Sequence, residues 1–327
     1  MKARALCCVG NCQVAVKDIE LPDQLAPDEI LVAKRFCCLS PGTDSRCLGQ
    51  FQAGDEPYIM GYSSVGEVVA VGDQVDMPTG SKVFCFGSRH LSMKSQWGAY
   101  TSHGIYGADE VIPVPADLDL QQAAIAKLGG IAYHGVRLAK PMPHERIAVV
   151  GLGVIGQLAA RFYHMTGAQV VAIDTQPKRC DAARAQGITI AEGKDLKSAF
   201  AAHFPTGADL VVDATGHPAV LDQSADLLAD LPWDDAPRPG PRLLLQGSYP
   251  EDFAVNYQKL FMSQTTILIP RDSQRPDLEA VMDLIARGRV DVSDLVADLR
   301  PVSEVQQAYD ELRSPAASQL TTVVKWD

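Results

Sequence analysis

The first third of the chain alternates apolar and polar residues in short runs, which is the pattern of half-buried β-strands. Strands are predicted at residues 2–9, 13–20, 29–38, 64–71, 82–86 and 111–114. The segment Ser40-Pro41-Gly42-Thr43-Asp44 predicts a loop and then a polar stretch, because Pro and Gly favour turns. Residues 87–107 mix Ser, His, Gly and aromatic side chains and predict an irregular surface excursion. A β-rich domain is therefore predicted for residues 1–120.

Helical spacing replaces strand spacing near residue 121, and strands then alternate with helices. Helices are predicted at residues 121–139, 157–166, 179–186 and 219–229, and strands at 147–150, 169–173, 209–214, 242–246 and 265–269. This alternation is typical of an α/β fold with a doubly wound parallel sheet, predicted here for residues 121–270. Residues 271–327, with amphipathic helices and a final strand at 321–326, are predicted to return to the first domain. The proline-rich residues 231–241 predict a surface loop.

The most informative local pattern lies in residues 146–174. A β-branched strand leads into Gly151-Leu152-Gly153-Val154-Ile155-Gly156, then a helix, a second strand and Asp174. In this G-x-G-x-x-G spacing one glycine makes the tight turn, one admits a pyrophosphate and one lets helix and strand pack closely. The helix start offers unpaired N–H groups and a positive dipole end to phosphates. Strand, glycines, helix, strand and acid in this order predict a dinucleotide-binding site.

Asp174 indicates which dinucleotide the site would take. It lies 18 residues after Gly156, close to the roughly 20 expected of the acid that holds an adenosine ribose. A carboxylate there accepts hydrogen bonds from a 2′-hydroxyl and repels a 2′-phosphate, which favours NAD over NADP. Arg179, five residues further on, could cover the adenine or weaken that preference.

Composition and charge exclude several classes of protein. The 327 residues carry a net charge of −11 and contain no basic block, which argues against nucleic acid and anionic membrane as partners. No apolar run approaches the roughly 18 residues of a membrane-spanning helix, and no signal-type apolar core follows Met1. We therefore expect a cytoplasmic protein. The eight cysteines lack C-x-x-C spacing and are predicted to be free, mostly buried thiols.

Several motifs together resemble the medium-chain dehydrogenase/reductase superfamily. They are the loop Pro41-Gly42-Thr43-Asp44, the segment Gly61-Tyr62-Ser63-Ser64-Val65-Gly66-Glu67, the strand Lys82-Val83-Phe84, the glycine loop, Val212-Asp213-Ala214-Thr215-Gly216 and Leu245-Gln246-Gly247. Within the superfamily the chain is similar to the branch containing bacteriochlorophyllide a dehydrogenase. The resemblance implies a GroES-like catalytic domain, a Rossmann domain and NAD as cofactor. It implies these cofactor-binding residues: Gly151, Gly153, Val154, Ile155, Gly156, Asp174, Arg179, Thr215, Gly216, Gln246 and Gly247.

The chain departs from the zinc-dependent members of this superfamily. Their ligands, Cys, His and Cys or Glu, correspond here to Pro41, Tyr62 and Lys127. None of these is a plausible Zn²⁺ ligand, and residues 87–107 contain no cysteine for a structural zinc. We therefore predict no metal. An alternative, a metal site built from four of the cysteines, remains open at this point: Cys37, Cys38, Cys47 and Cys85.

Without zinc, other groups must stabilise the charge that develops on the reacting oxygen during hydride transfer. Lys127 and Tyr62 occupy two former ligand positions, and a nearby Lys is expected to lower the pKa of Tyr62. Thr43 matches the hydroxyl that relays protons in the family. The ordinary alternatives are a solvated Lys127 and a packed Tyr62. His134 is interpreted as structural.

The predicted function is NAD(H)-dependent, zinc-independent oxidoreduction of a secondary alcohol or ketone. The substrate class stays open between a polyol, a cyclitol and a hydroxyethyl group on a macrocycle. Alternatives are a quinone or enone reductase and a non-catalytic NAD(H)-binding sensor or partner subunit. A homodimer is predicted, because the strand at residues 265–269 would be a sheet edge able to pair across a twofold axis.

Overall fold

A computed structural model describes residues 1–52, 54–193, 195–233, 239–249, 252–314 and 319–326. The predicted loop at 231–241 therefore lies partly outside the described residues. The chain forms two compact units. Unit 1 comprises Met1–Lys127, Met282–Gly288 and Val292–Asp327, and unit 2 comprises Leu128–Val281 and Arg289–Asp291.

The strands, in chain order, are β1 (Lys2–Gly10), β2 (Gln13–Glu20), β3 (Glu29–Cys38), β4 (Tyr58–Ile59), β5 (Ser64–Val71), β6 (Lys82–Cys85), β7 (His103–Gly107), β8 (Ile112–Pro113), β9 (Arg146–Val150), β10 (Gln169–Ile173), β11 (Thr189–Ile190), β12 (Leu210–Asp213), β13 (Arg242–Leu245), β14 (Thr266–Leu268), β15 (Leu299–Pro301) and β16 (Val323–Lys325). The helices are α1 (Pro41–Gln50), α2 (Leu120–Ala123), α3 (Ala126–Ala139), α4 (Val154–Met165), α5 (Pro177–Ala185), α6 (Leu196–Ala201), α7 (Pro218–Ala225), α8 (Tyr257–Met262), α9 (Arg275–Ala286) and α10 (Val305–Leu312), the last preceded by a 3-10 turn at Val302–Glu304.

Unit 1 holds two sheets in the part of the chain that the structure describes. One has the order β2-β1-β4, and the other has the order β15-β16-β3-β5-β6-β8, with β7 also paired to β3. The strand β16 runs antiparallel to β3, with Val323 opposite Cys38. A buried cluster joins distant parts of the chain, including Leu6, Leu48, Tyr100 and Tyr309.

Two predictions for unit 1 are corrected. The segment 40–44, predicted as a loop, begins helix α1 at Pro41. Pro suits the first helical position, and the Ser40 N–H donates to Asp44 Oδ2 at 2.8 Å, which stabilises the first turn. Residues 87–107 are not wholly a surface excursion, because β7 pairs with β3 along Glu29–Ala33 and Tyr100 is fully buried.

Unit 2 contains the predicted doubly wound sheet. Its described strands are parallel in the order β11-β10-β9-β12-β13-β14. Ile147, Ala148 and Val149 of β9 are fully buried, as expected of a strand covered on both faces. The strand β14 lies at the sheet edge, as predicted for residues 265–269. No described helix has both the length and the apolar composition needed to span a membrane.

Candidate active site and cofactor site

The glycine loop connects β9 to α4, and its three glycines have different surroundings. Gly151 has a φ of +90°, which favours glycine. A Cβ on Gly156 would lie 1.9 Å from the Gly151 carbonyl oxygen, so this position permits close packing of helix and loop. A Cβ on Gly153 would meet no described atom within 4 Å, so this glycine faces open space at the start of α4. Val154 and Ile155 are the first residues of that helix.

Asp174 follows β10 and is tied to the glycine loop. Its Oδ2 accepts the Leu152 N–H at 2.7 Å, and its Oδ1 accepts the Gln176 N–H at 2.8 Å. Arg179 Nη1 lies 3.5 Å from Oδ2. Because each carboxylate oxygen can accept two hydrogen bonds, Oδ1 retains acceptor capacity for a ribose hydroxyl. The Arg179 guanidinium partly offsets the charge that would repel a 2′-phosphate.

The two other predicted cofactor loops follow β12 and β13 and touch each other. A Cβ on Gly247 would lie 2.3 Å from the Gly216 backbone nitrogen. The buried Asp213 Oδ1 holds the first loop, accepting from the Thr215 N–H at 2.9 Å and the Thr215 hydroxyl at 2.7 Å. Gln246 Nε2 donates to the Ile131 carbonyl at 3.0 Å. Its buried Oε1 has no hydrogen-bond partner among the described residues.

These features fit a dinucleotide. The space at Gly153 can admit a pyrophosphate, and the first-turn N–H groups of α4 lack intrahelical partners. Unit 2 thus brings all eleven predicted cofactor-binding residues onto the loops that follow β9, β10, β12 and β13 or onto the first turns of α4 and α5.

In unit 1, Tyr62 lies beside the start of α1. Its hydroxyl donates a hydrogen bond to Ser40 Oγ and lies 3.4 Å from Thr43 Oγ1. Tyr62 is only 7% exposed. The structure therefore brings the candidate residues Tyr62 and Thr43 together and adds Ser40, which the sequence reasoning missed.

Lys127 is close to the same ring. Its Nζ lies 5.8 Å from the centroid of Tyr62 and 5.4 Å from that of Phe86, distances typical of cation–π contact. Lys127 is only 6% exposed, so it is not a solvated surface lysine. Lys127 and Tyr62, two of the three residues that the resemblance aligns with zinc ligands, are therefore neighbours in space.

The expectation of a lowered pKa for Tyr62 is wrong, because the net shift of this pKa is upward. Burial raises the pKa of Tyr62 well above its usual value, and the nearby Asp44 charge raises it further. Tyr62 is therefore a protonated hydroxyl across the neutral range, able to donate rather than to act as a phenolate.

Asp44 is a second residue that sequence reasoning left without a role. Its Oδ2 accepts from the hydroxyls of Tyr100 at 3.1 Å and Tyr309 at 3.0 Å, besides the Ser40 N–H. Its Oδ1 is buried without a partner in the described part of the chain. Burial raises the pKa of Asp44 to about 6, and the three hydrogen bonds partly oppose this. Pro followed three residues later by an acid was the available signal.

The residues present do not fit zinc. Pro41 has no ligand atom in its side chain, and burial keeps Tyr62 protonated, which makes it a poor ligand. Among the described residues, no group of three His, Cys, Asp or Glu side chains could hold a metal ion, so the four-cysteine alternative is not formed. All eight cysteines are free thiols.

His134 has a structural setting in unit 2. Its Nδ1 lies 3.0 Å from Asp277 Oδ2, and Arg137 Nη1 lies 2.6 Å from Asp277 Oδ1. The buried Asp277 thus ties two helices, α3 and α9, within this unit.

Residues 154–287 match the sequence profile of a family described as "Zinc-binding dehydrogenase". The chain is 25% identical to Probable D-xylulose reductase A of Aspergillus clavatus, over 93% of this chain and 92% of that protein.

Solved structures share the fold over almost the whole chain. A short chain alcohol dehydrogenase from Escherichia coli CFT073, complexed with NADH, superposes with a TM-score of 0.84 at 17% identity, covering 99% of both chains. A zinc-binding dehydrogenase from Sinorhizobium meliloti 1021 bound to NADP gives 0.83 at 20% identity, again covering 99% of both. The α/β fold, with a β-rich unit and a Rossmann-like parallel sheet, is thereby confirmed.

Proposed function

We propose that this chain belongs to the zinc-binding dehydrogenase family and interconverts a secondary alcohol and a ketone. The reaction uses NAD(H) and no catalytic zinc, and it takes place in the cytoplasm. The observation that carries this proposal is the cluster of Tyr62, Ser40, Thr43 and Lys127, two of whose members occupy the former ligand positions. The names of the relatives and the matching profile support nicotinamide-linked alcohol oxidoreduction.

The cofactor preference is argued from Asp174. NAD(H), when bound, supplies the acceptor or donor of the hydride. The glycine loop would hold its pyrophosphate, and Asp174 would favour an unphosphorylated ribose. Relatives of the same fold are described with NADH and with NADP, so the preference for NAD rests on this carboxylate, moderated by Arg179.

The chain's own residues would supply the proton and the positive charge. Because Tyr62 stays protonated, its hydroxyl can hydrogen-bond to a carbonyl oxygen and donate the proton as that oxygen gains charge. Ser40 Oγ and Thr43 Oγ1 are the hydrogen-bond partners of the Tyr62 hydroxyl, and the partly exposed Thr43 would relay a proton from water to replace the one that Tyr62 has given up. Lys127 would stabilise the developing negative charge. Alcohol oxidation follows the same path in reverse.

The proposal is tested by removing the lysine charge. Lys127→Ala and the length-matched Lys127→Met should lower kcat by about 10²-fold, the effect of one electrostatic donor, because the oxyanion loses its cation. NADH affinity, measured by calorimetry, should not change. Lys17→Ala, at an exposed position of β2, is the matched control.

Wild-type turnover in both lysine variants would remove Lys127 from the mechanism. One tightly bound zinc per chain, lost together with activity on chelation, would overturn the zinc-independent assignment. NADH binding without reduction of any carbonyl in a broad panel would favour the non-catalytic alternative.

The edge strand of unit 2 supports a homodimer. Ile267 of β14 and the adjacent Ile269 are exposed, and so are Tyr257 and Phe261 of α8. An uncovered strand edge beside exposed apolar side chains is a surface that proteins usually pair or cover.

A further inference from the structure

Trp97 is an exposed aromatic residue that lies against the candidate catalytic hydroxyl. Its ring packs edge-on against Tyr62, with 5.4 Å between centroids and an interplanar angle of 89°. The residue nevertheless remains 47% exposed. A large indole face is therefore presented to solvent next to Tyr62.

The backbone holds Trp97 in an unusual conformation. Its φ is +67°, a left-handed value that bulky residues rarely adopt. The neighbouring Gln96 N–H donates to the Ile59 carbonyl at 2.8 Å, and the Ala99 N–H donates to the Gly61 carbonyl at 2.8 Å. These bonds fix the segment on both sides of Trp97. Such conformations persist where the surroundings enforce them, and they concentrate at functional sites.

The bend that follows β6 leaves room for this segment at Gly87. A Cβ on Gly87 would lie 1.7 Å from the Trp97 carbonyl oxygen, so only glycine permits the observed approach. Residue 87 must therefore be glycine for the backbone of Trp97 to lie where it does. Core packing alone does not account for this placement, because Trp97 remains 47% exposed.

The surroundings of Tyr62 divide into a polar and an aromatic part. Ser40, Thr43 and Lys127 supply the hydroxyls and the cation. Phe86, whose ring lies near the Lys127 ammonium, and Trp97 supply aromatic walls. A polyol needs a hydrogen-bond partner for most of its hydroxyls, whereas an indole face offers apolar area and a single N–H donor.

We propose that Trp97 is a specificity-determining residue on which the non-reacting part of the substrate stacks. The substrate class is then a secondary alcohol or ketone with a planar aromatic or conjugated ring beside the reacting carbon, not a polyol or cyclitol. This inference rests on the proposed function and narrows its substrate.

The test uses substrates that differ only in planarity. We would measure kcat/KM with NAD for 1-phenylethanol, its saturated analogue 1-cyclohexylethanol, and sorbitol. The wild type should prefer 1-phenylethanol to both others by roughly two- to tenfold, the size expected of an aromatic contact. Equal values for the two matched alcohols, or a preference for sorbitol, would overturn the inference.

Variants of Trp97 test whether this residue causes the preference for 1-phenylethanol. Trp97→Leu, apolar but not planar, should raise KM for 1-phenylethanol by roughly two- to tenfold while leaving kcat and the values for 1-cyclohexylethanol nearly unchanged. Trp97→Phe should retain most of the preference. Trp233→Leu, at an exposed tryptophan of unit 2, is the matched control and should change nothing. An equal effect of Trp97→Leu on all three substrates would show a merely structural role and overturn the inference.

Failure of the proposed function is distinguishable from failure of this inference. If NADH binds but no substrate turns over, the proposed function fails. Binding of 2-acetylnaphthalene by calorimetry then decides the inference: weaker binding by Trp97→Leu than by Trp97→Phe supports it, and equal affinity for the two variants overturns it.

Discussion

At the scale of single residues, Asp44 concentrates more interactions than any side chain predicted to be catalytic. One of its oxygens accepts three hydrogen bonds, while the other has none from the described residues. Burial disfavours the carboxylate form and raises the pKa of Asp44 to about 6 from an ordinary 3.8. The folded state therefore binds a proton more tightly than the unfolded state does.

This difference predicts how stability depends on pH. Between pH 3.8 and 6 the folded protein holds a proton on Asp44 that the unfolded chain has released. The Asp44 contribution is fully present below pH 3.8 and is lost as pH rises through about 6, with a total of about 3 kcal/mol at roughly 1.4 kcal/mol per pH unit. Urea unfolding of the wild type and Asp44→Asn, at pH 4.5 and pH 7, measures it. The free energy of unfolding of the wild type, relative to that of the variant, should be larger at pH 4.5 than at pH 7. If this difference in free energy is the same at both pH values, the assignment is contradicted.

The residue types at the candidate site could be predicted from sequence, but their electrostatics could not. Motif positions were enough to name Tyr62, Thr43 and Lys127 as candidates, and in the structure Tyr62 contacts both of the others. The pKa of Tyr62 depends on how far it is buried and on its distance from Asp44, which only tertiary structure sets. The role of Trp97 depends on its φ and on the contact with Gly87, which no local pattern reveals.

At the scale of elements, alanine substitutions of two glycines in the turn from β9 into α4 are expected to have opposite effects on stability and on NADH binding. Gly156→Ala should destabilise the protein by about 1–3 kcal/mol, the usual cost of forcing a methyl group into a packed site, because its Cβ meets the Gly151 carbonyl. Gly153→Ala should leave stability nearly unchanged, since φ is −64° and no described atom is near. It should instead weaken NADH binding by blocking the approach of the pyrophosphate.

Thermal melts and NADH titrations of the two variants separate these effects. Each glycine serves as the control for the other, because both change hydrogen to methyl within one turn. Unweakened NADH binding by a folded Gly153→Ala protein would mean that the dinucleotide does not approach this face of α4.

Elements with a clear apolar pattern of their own were predictable, and elements that depend on a distant partner were not. The apolar run at residues 169–173 is recognisable as a buried strand from its own side chains. In contrast, β11 is only Thr189–Ile190 and exists because it pairs with Val171 and Ala172. Helix α1 was missed because Pro and Gly were interpreted as a turn, although Pro also favours the first position of a helix.

At the scale of the whole molecule, the proposed homodimer can be tested at the edge of the unit 2 sheet. Ile269→Lys should lower the dimer fraction in sedimentation, because Ile269 is 66% exposed and a buried ammonium would be unpaired in the dimer. Leu299→Lys, on the edge strand β15 of the other sheet, should leave the dimer intact. A wild-type monomer, or an unchanged dimer with Ile269→Lys, would refute pairing through β14.

The pairing of β3 with β16 has a consequence for synthesis on the ribosome. Cys38 and Val323 lie opposite each other although 285 residues separate them in the chain. At about 5–20 residues per second, β3 emerges roughly 15 to 60 s before its partner strand exists. Residues 128–281 can complete their own sheet during that interval, whereas the unit that carries Tyr62 and Lys127 waits with an open strand edge. Synthesis of the candidate catalytic unit thus begins before that of unit 2, but its sheet is completed only when β16 has been made. Until then the unpaired edge of β3 in the nascent chain can aggregate or bind a chaperone.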